Sequence, residues 1–92
     1  MTQNTQSKIW FITGSSRGFG KIWTEAALQR GDKVIATARR LSSIAYLNEK
    51  YGDNVLTLEL DVTDTKKVKT VVQQAYDHFG QLDIVLNNAG YS

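Results

Sequence analysis

The chain has 92 residues, room for one small domain that buries only roughly 60–65% of its unfolded surface. At 41% hydrophobic, 22% charged and a net charge of +2, it has an ordinary globular composition, and its scattered basic residues do not mark a nucleic-acid binder. The absence of cysteine excludes a disulfide framework and a thiolate metal site, and the single His78 cannot hold zinc alone, so no metal is expected. The polar Met1–Lys8 stretch lacks the apolar core of a leader peptide, and no apolar run approaches the ~20 residues of a membrane span, so a cytoplasmic location is expected.

Ile9 to Thr13 is a short apolar run that ends in a glycine-rich loop, the pattern of a buried strand. Gly18 to Arg30 reads as a helix with Phe19, Ile22, Trp23, Ala26 and Ala27 on its inner face and Gly31 as its stop. Lys33 to Ala38 is a second buried strand. Leu41 to Tyr51 carries Leu41, Ile44, Leu47 and Tyr51 at helical spacing, with Ser42 or Ser43 as cap and Gly52 as its end. Asn54 to Leu60 is a third strand. Asp64 to Phe79 is the clearest helix, with Val68, Val71, Val72, Ala75 and Phe79 three or four apart, Thr63 or Asp64 as cap and Gly80 as stop. Within it Lys66, Lys67 and Lys69 read as a solvated face, and His78 as a residue complementing the helix C-terminus. Leu82 to Leu86 is a fourth strand. The order βαβαβαβ demands right-handed crossovers and a parallel sheet covered on both faces, within a single domain over residues 1–92.

Thr13-Gly14-Ser15-Ser16-Arg17-Gly18-Phe19-Gly20 joins the first strand to the first helix. A helix N-terminus offers unpaired N–H groups and positive potential, which suits phosphate. Gly14 permits a sharp turn, Gly18 a close backbone approach to a pyrophosphate, and Gly20 the packing of helix against strand. A glycine triplet alone is weak evidence. A strand before it and a helix after it favour a dinucleotide loop over an empty turn.

The spacing Gly-x-x-x-Gly-x-Gly resembles that of the short-chain dehydrogenase/reductase family. Asp61-Val62 after the third strand and Asn87-Asn88-Ala89-Gly90 after the fourth are similar to two further motifs of that family, in the same order. The resemblance runs from Lys8 to the last residue. It implies that Asp61 bonds the adenine amino group through its side chain and Val62 through its backbone N–H. Asn88, Ala89 and Gly90 would line the cofactor near a ribose, with Gly14, Ser16, Arg17, Gly18, Phe19 and Gly20 around the phosphates. Taken alone, Asp61 also reads as a turn carboxylate, and Asn87 and Asn88 as a strand-ending turn. The fold expected is a three-layer, Rossmann-type α/β sheet of strand order 3-2-1-4, cut off after its fourth strand.

Where an NAD site places an acid, at the end of the second strand, the sequence reads Ala36-Thr37-Ala38-Arg39-Arg40. Ala38 removes the repulsion that a 2′-phosphate would meet. Arg39 offers a planar fork of donors, Arg17 approaches from the loop, and Arg40 reads as a solvated loop charge. NADP(H) is therefore expected over NAD(H).

The reaction that the resemblance implies is hydride transfer between nicotinamide and an alcohol or carbonyl carbon. Its Tyr-x-x-x-Lys pair, serine and asparagine fall beyond the fourth strand, so no catalytic residue is assigned and turnover by this chain alone is not expected. Tyr46 and Lys50 fit the spacing, but they sit on the adenine half as neighbours on a helix. The open edge of the fourth strand is expected to pair with a second copy. The alternative is a stand-alone nucleotide-binding or self-associating half-Rossmann module without enzymatic activity.

Overall fold

The computed structural model describes residues 7–16 and 18–88. Four parallel strands, β1 (Ile9–Ile12), β2 (Lys33–Ala38), β3 (Val55–Glu59) and β4 (Ile84–Leu86), form one sheet in the order β3-β2-β1-β4. Helices α1 (Gly18–Gln29), α2 (Tyr46–Tyr51) and α3 (Thr65–Phe79) alternate with them. The expected strand order is thus the observed one. In register, Phe11 sits between Ile35 of β2 and Val85 of β4.

Strand alternation divides the core. Ile12, Val34, Ala36 and Ala38 point to the face covered by Ala27 and Leu28 of α1 and by Ile44 and Leu47. Ile9, Phe11 and Ile35 point to the opposite face, covered by Val71 and Ala75 of α3. Fully burying a Val or Ile side chain contributes about 1.5–3 kcal/mol, and β2 is inaccessible at Val34, Ile35 and Ala36.

The α1 face departs from the expected one. The residues buried are Gly20, Thr24, Ala27 and Leu28, while Phe19, Ile22 and Trp23 are exposed. The small side chains win because α1 lies close over β1 and β2, and a loop carbonyl against Gly20 leaves no room for bulk there. The Glu25 flank of α1 meets α2, where Tyr46 Oη and Lys50 Nζ both donate to its carboxylate, at 2.9 and 3.4 Å. By helical geometry Phe19, Trp23 and Ala26 lie on the flank turned away from α2.

The expected second helix is also broken up. Leu41–Ser43 is a single 3₁₀ turn, α2 begins only at Tyr46, and Gly52–Asn54 is another 3₁₀ turn. Neither Ser42 nor Ser43 caps α2; Ala45 takes that position without a side-chain bond. Ile44 and Leu47 are buried as the spacing requires, whereas Leu41 is exposed. α3 follows the expectation closely. Asp64 is its cap, accepting from Lys67 N, and Gly80 ends it in the left-handed region at φ 84°. The outer strands are shorter than expected, with β3 starting at Val55 and β4 at Ile84.

Candidate functional site

The loop after β1 is shaped by buried hydroxyls. Ser15 is inaccessible; its N–H donates to Thr37 O at 2.9 Å and its Oγ to Ile12 O at 3.0 Å. Thr24 Oγ1, on the buried face of α1, reaches both Gly20 O at 2.7 Å and Ser15 Oγ at 3.1 Å. Thr13 N donates to Leu86 O at 3.0 Å, which ties the loop to the end of β4. These bonds fix the loop from beneath.

Two glycines have distinct jobs. A Cβ on Gly20 would lie 2.0 Å from Gly14 O and 2.6 Å from Asn88 Nδ2. Gly20 therefore clears the loop carbonyl and Asn88, rather than the strand beneath the helix. Gly18 adopts φ 63°, and a Cβ there would meet nothing within 4 Å. The left-handed backbone explains that glycine, and the space beside it stays open.

Gly14, Ser16 and Asn88 border a cleft of about 830 Å³; Ala38 at the end of β2 and Arg39, Arg40 and Ser43 after it also line it, as do Leu60 to Thr63 after β3. The cleft runs across the ends of all four strands, and its volume is in the range of cofactor-sized pockets, ~300–1,000 Å³. Asn88 Nδ2 donates to Gly14 O at 3.2 Å and so joins the fourth strand's end to the glycine loop.

Asp61 serves a turn and faces the cleft at once. Its Oδ1 accepts from Thr63 N at 3.0 Å and from Thr63 Oγ1 at 2.7 Å. Its Oδ2 lies 4.0 Å from Arg39 Nε, whose side chain is 82% exposed. The Thr63 side-chain and backbone bonds, and then the Arg39 charge, lower its pKa below the usual carboxylate value.

Of the residues expected at the site, Gly14, Ser16, Arg39, Asp61, Val62 and Asn88 line the cleft. Phe19 does not; it is 66% exposed and stacks on Trp23 at a centroid distance of 5.5 Å. Arg17, Ala89 and Gly90 lie outside the described residues. Arg40, read from sequence as a solvated charge, borders the cleft, as do Ser43, Leu60 and Thr63, which sequence reasoning missed. Their signal was positional: each stands within three residues of Arg40 or Asp61 at a strand end.

Tyr46 and Lys50 do not resemble a catalytic pair in chemistry. Burial, then the bond to Glu25, pushes the Tyr46 hydroxyl up to about 12. A tyrosine acting as general acid/base needs the opposite shift. Among the described residues, no group of three or more metal-ligating side chains gathers.

The family described as short chain dehydrogenase matches residues 8–92. The chain belongs to that family. It is 51% identical over 87 residues to Oxidoreductase BOA17 of Botryotinia fuckeliana (strain B05.10), covering 94% of this chain and 32% of that relative. A crystal structure of a short-chain dehydrogenase from Streptomyces avermitilis superposes with a TM-score of 0.87 at 38% identity, over 90% of this chain and 31% of that one. The 3-ketoacyl-(acyl-carrier-protein) reductase from Brucella melitensis, solved with NADH, gives a TM-score of 0.78 at 28% identity, over 85% and 32% of the two chains. The chain thus spans about a third of the length of these short-chain dehydrogenases. The family is one of oxidoreductases that bind nicotinamide dinucleotides, and the arrangement here suits such a ligand. Gly18 leaves a Cβ-free approach at the start of a twelve-residue helix, and polar groups from four strand ends border one cleft.

Proposed function

We propose that this chain, as a single dinucleotide-binding domain over residues 1–92, is the NADP(H)-binding part of a cytoplasmic oxidoreductase. In this reading the bound cofactor exchanges hydride with an alcohol or carbonyl carbon. Gly14, Ser16, Arg17, Gly18, Phe19 and Gly20 surround its phosphates. Asp61 and Val62 hold the adenine, and Asn88, Ala89 and Gly90 line a ribose. The observation that carries the preference for a 2′-phosphate is the end of β2. Ala38 stands where an acid would repel that phosphate, and the exposed Arg39 borders the same cleft. Arg17 is proposed as the second cation.

Charge-assisted bonds from a guanidinium to phosphate contribute about 1.5–3 kcal/mol each, so NADPH is expected to bind at least about tenfold tighter than NADH. Arg39→Ala is expected to remove most of that ratio, measured as two dissociation constants by reduced-nicotinamide fluorescence. Equal affinities of the parent protein for the two cofactors would sink the preference.

The raised Tyr46 hydroxyl supports the view that these residues carry no catalysis of their own. An assay of NADPH oxidation with a panel of carbonyl compounds is expected to give no turnover by the 92-residue chain. A second reading, self-association of a binding module, is favoured by β4. Among the described residues β4 pairs only with β1, and its Val85 is 60% exposed. Sedimentation is expected to show a dimer, and a monodisperse monomer refutes that reading.

A further inference from the structure

Arg39 and Asp61 border two hollows at once. One is the cleft already described. The other, about 300 Å³, is lined by Arg39, Glu59, Leu60, Asp61, Asp64 and Lys67. The Arg39–Asp61 pair is therefore a ridge between them. The second hollow gathers three carboxylates against two cations, Arg39 and Lys67. Of these, Asp64 is committed to capping α3 through Lys67 N at 3.1 Å. Asp61 is held in place by Thr63, whereas Arg39 is a long side chain, 82% exposed, whose ion pair among the described residues is the 4.0 Å approach to Asp61. A carboxylate bonded twice to Thr63 beside an exposed guanidinium makes the guanidinium the partner freer to turn toward a ligand.

From this arrangement we infer that Asp61 is a specificity-determining residue, a brake on recognition of the 2′-phosphate through its competition for Arg39. The inference rests on the NADP(H) reading above. In the free protein Arg39 rests against Asp61, with Glu59 adding negative potential on the same side. An arriving 2′-phosphate must draw the guanidinium away from that carboxylate, or share it while standing close to a like charge. At 4.0 Å the pair lies well inside the ~8 Å screening length of physiological salt, so the competition persists there. Its size is that of an exposed ion pair, which corresponds to about two- to fivefold in a binding ratio. Both reduced cofactors carry the same adenine. Whatever Asp61 does for adenine therefore cancels in the NADPH-to-NADH ratio, while its effect through Arg39 does not.

The test is a double-mutant cycle on that ratio. Dissociation constants for NADPH and NADH are measured with the purified parent protein, Asp61→Asn, Arg39→Ala and the double variant. Asp61→Asn keeps an acceptor for Thr63 and removes the charge. It is expected to raise the preference for NADPH about two- to fivefold, and to leave it unchanged when Arg39 is already alanine. An unchanged ratio in the single variant overturns the inference. A lowered ratio overturns it too, since Asp61 would then support Arg39 rather than compete for it. If Asp61→Asn does not fold, Asp61→Ser removes the same charge and is read the same way. Failure of the NADP(H) reading looks different: the parent protein then has no preference and Arg39→Ala changes nothing.

Discussion

β2 and β4 are both apolar, and both pair with β1, yet they meet different fates. β2 lies between two strands and under helices on each face, and five of its six residues are buried. β4 has one strand neighbour among the described residues, and none of its three residues is buried. The same contrast runs through α1. Its Glu25 flank is tied to α2, while the flank bearing Phe19 and Trp23 is bare. Burial is conferred by neighbours, not by the strand's own composition. The two sides also divide the chemistry. The closed side supplies Ala38, Arg39, Arg40, Ser43 and Leu60 to Thr63 to the cleft, and the open side supplies Asn88.

The sharpest test of that contrast sets a core residue against an edge residue. Ile35→Ala removes a fully buried side chain between two covered faces and is expected to cost about 2–5 kcal/mol. For a domain of this size the melting temperature then falls by at least ~10 °C. Val85→Ala, at a residue 60% exposed, is expected to cost less than about 1 kcal/mol. Similar losses at the two sites in thermal melts would mean that β4 is covered in solution, as self-association requires.

Gly20→Ala probes a place where the open side bears directly on the loop. Its Cβ would drive into the Gly14 carbonyl and Asn88 Nδ2, and backbone displaced in this way costs about 1–3 kcal/mol. The larger effect is expected on cofactor affinity, with NADPH and NADH weakened alike by about tenfold or more, because the loop and Asn88 shift together. A loss confined to NADPH would place Gly20's influence on the 2′-phosphate rather than on the shared pyrophosphate.

Much of this organisation was legible beforehand. The alternation of strands and helices, α3 with its Asp64 cap and Gly80 stop, and the glycine loop follow from periodicity and local backbone rules that act within a few residues, whereas the strand order came with the family resemblance. What misled was tertiary. Phe19, Ile22 and Trp23 form an apolar stripe that periodicity assigns to the core. The close approach of α1 to its own loop instead selects the face of Gly20, Thr24 and Ala27. Leu41 to Tyr51 likewise has helical spacing, but a 3₁₀ turn and a late start at Tyr46 break it without a side-chain cap. In the cleft, the motif residues could be named in advance, while Arg40 and Ser43 could not. Which side of a turn a residue lines depends on the turn's geometry, and the amino-acid pattern does not carry that.

The smallest expected effect lies on the closed side, at the Tyr46–Glu25–Lys50 cluster. Spacing alone matches Tyr46 and Lys50 to a catalytic pair, and a titration separates resemblance from role. A tyrosine activated for proton transfer ionises early. Tyr46 instead sits at about 12, raised by burial, by its bond to Glu25 and by the negative charge nearby. Lys50 is raised as well, first by its electrostatic interaction with Tyr51 and then by Glu25, so it stays charged beside a tyrosine that stays neutral. Absorbance titration of the four tyrosines is expected to show one ionising late, and Glu25→Gln is expected to bring it back toward the ordinary ~10. The sign for stability follows from the raised value. The tyrosine's contribution is complete below its unfolded pKa of ~10 and is lost as the pH climbs through about 12. The stability gap between the parent protein and Tyr46→Phe should therefore close between those limits and stay flat at lower pH. A tyrosine ionising early, with the gap already closing near neutrality, would restore Tyr46 as a candidate acid and break the division between a closed, structural side and an open one.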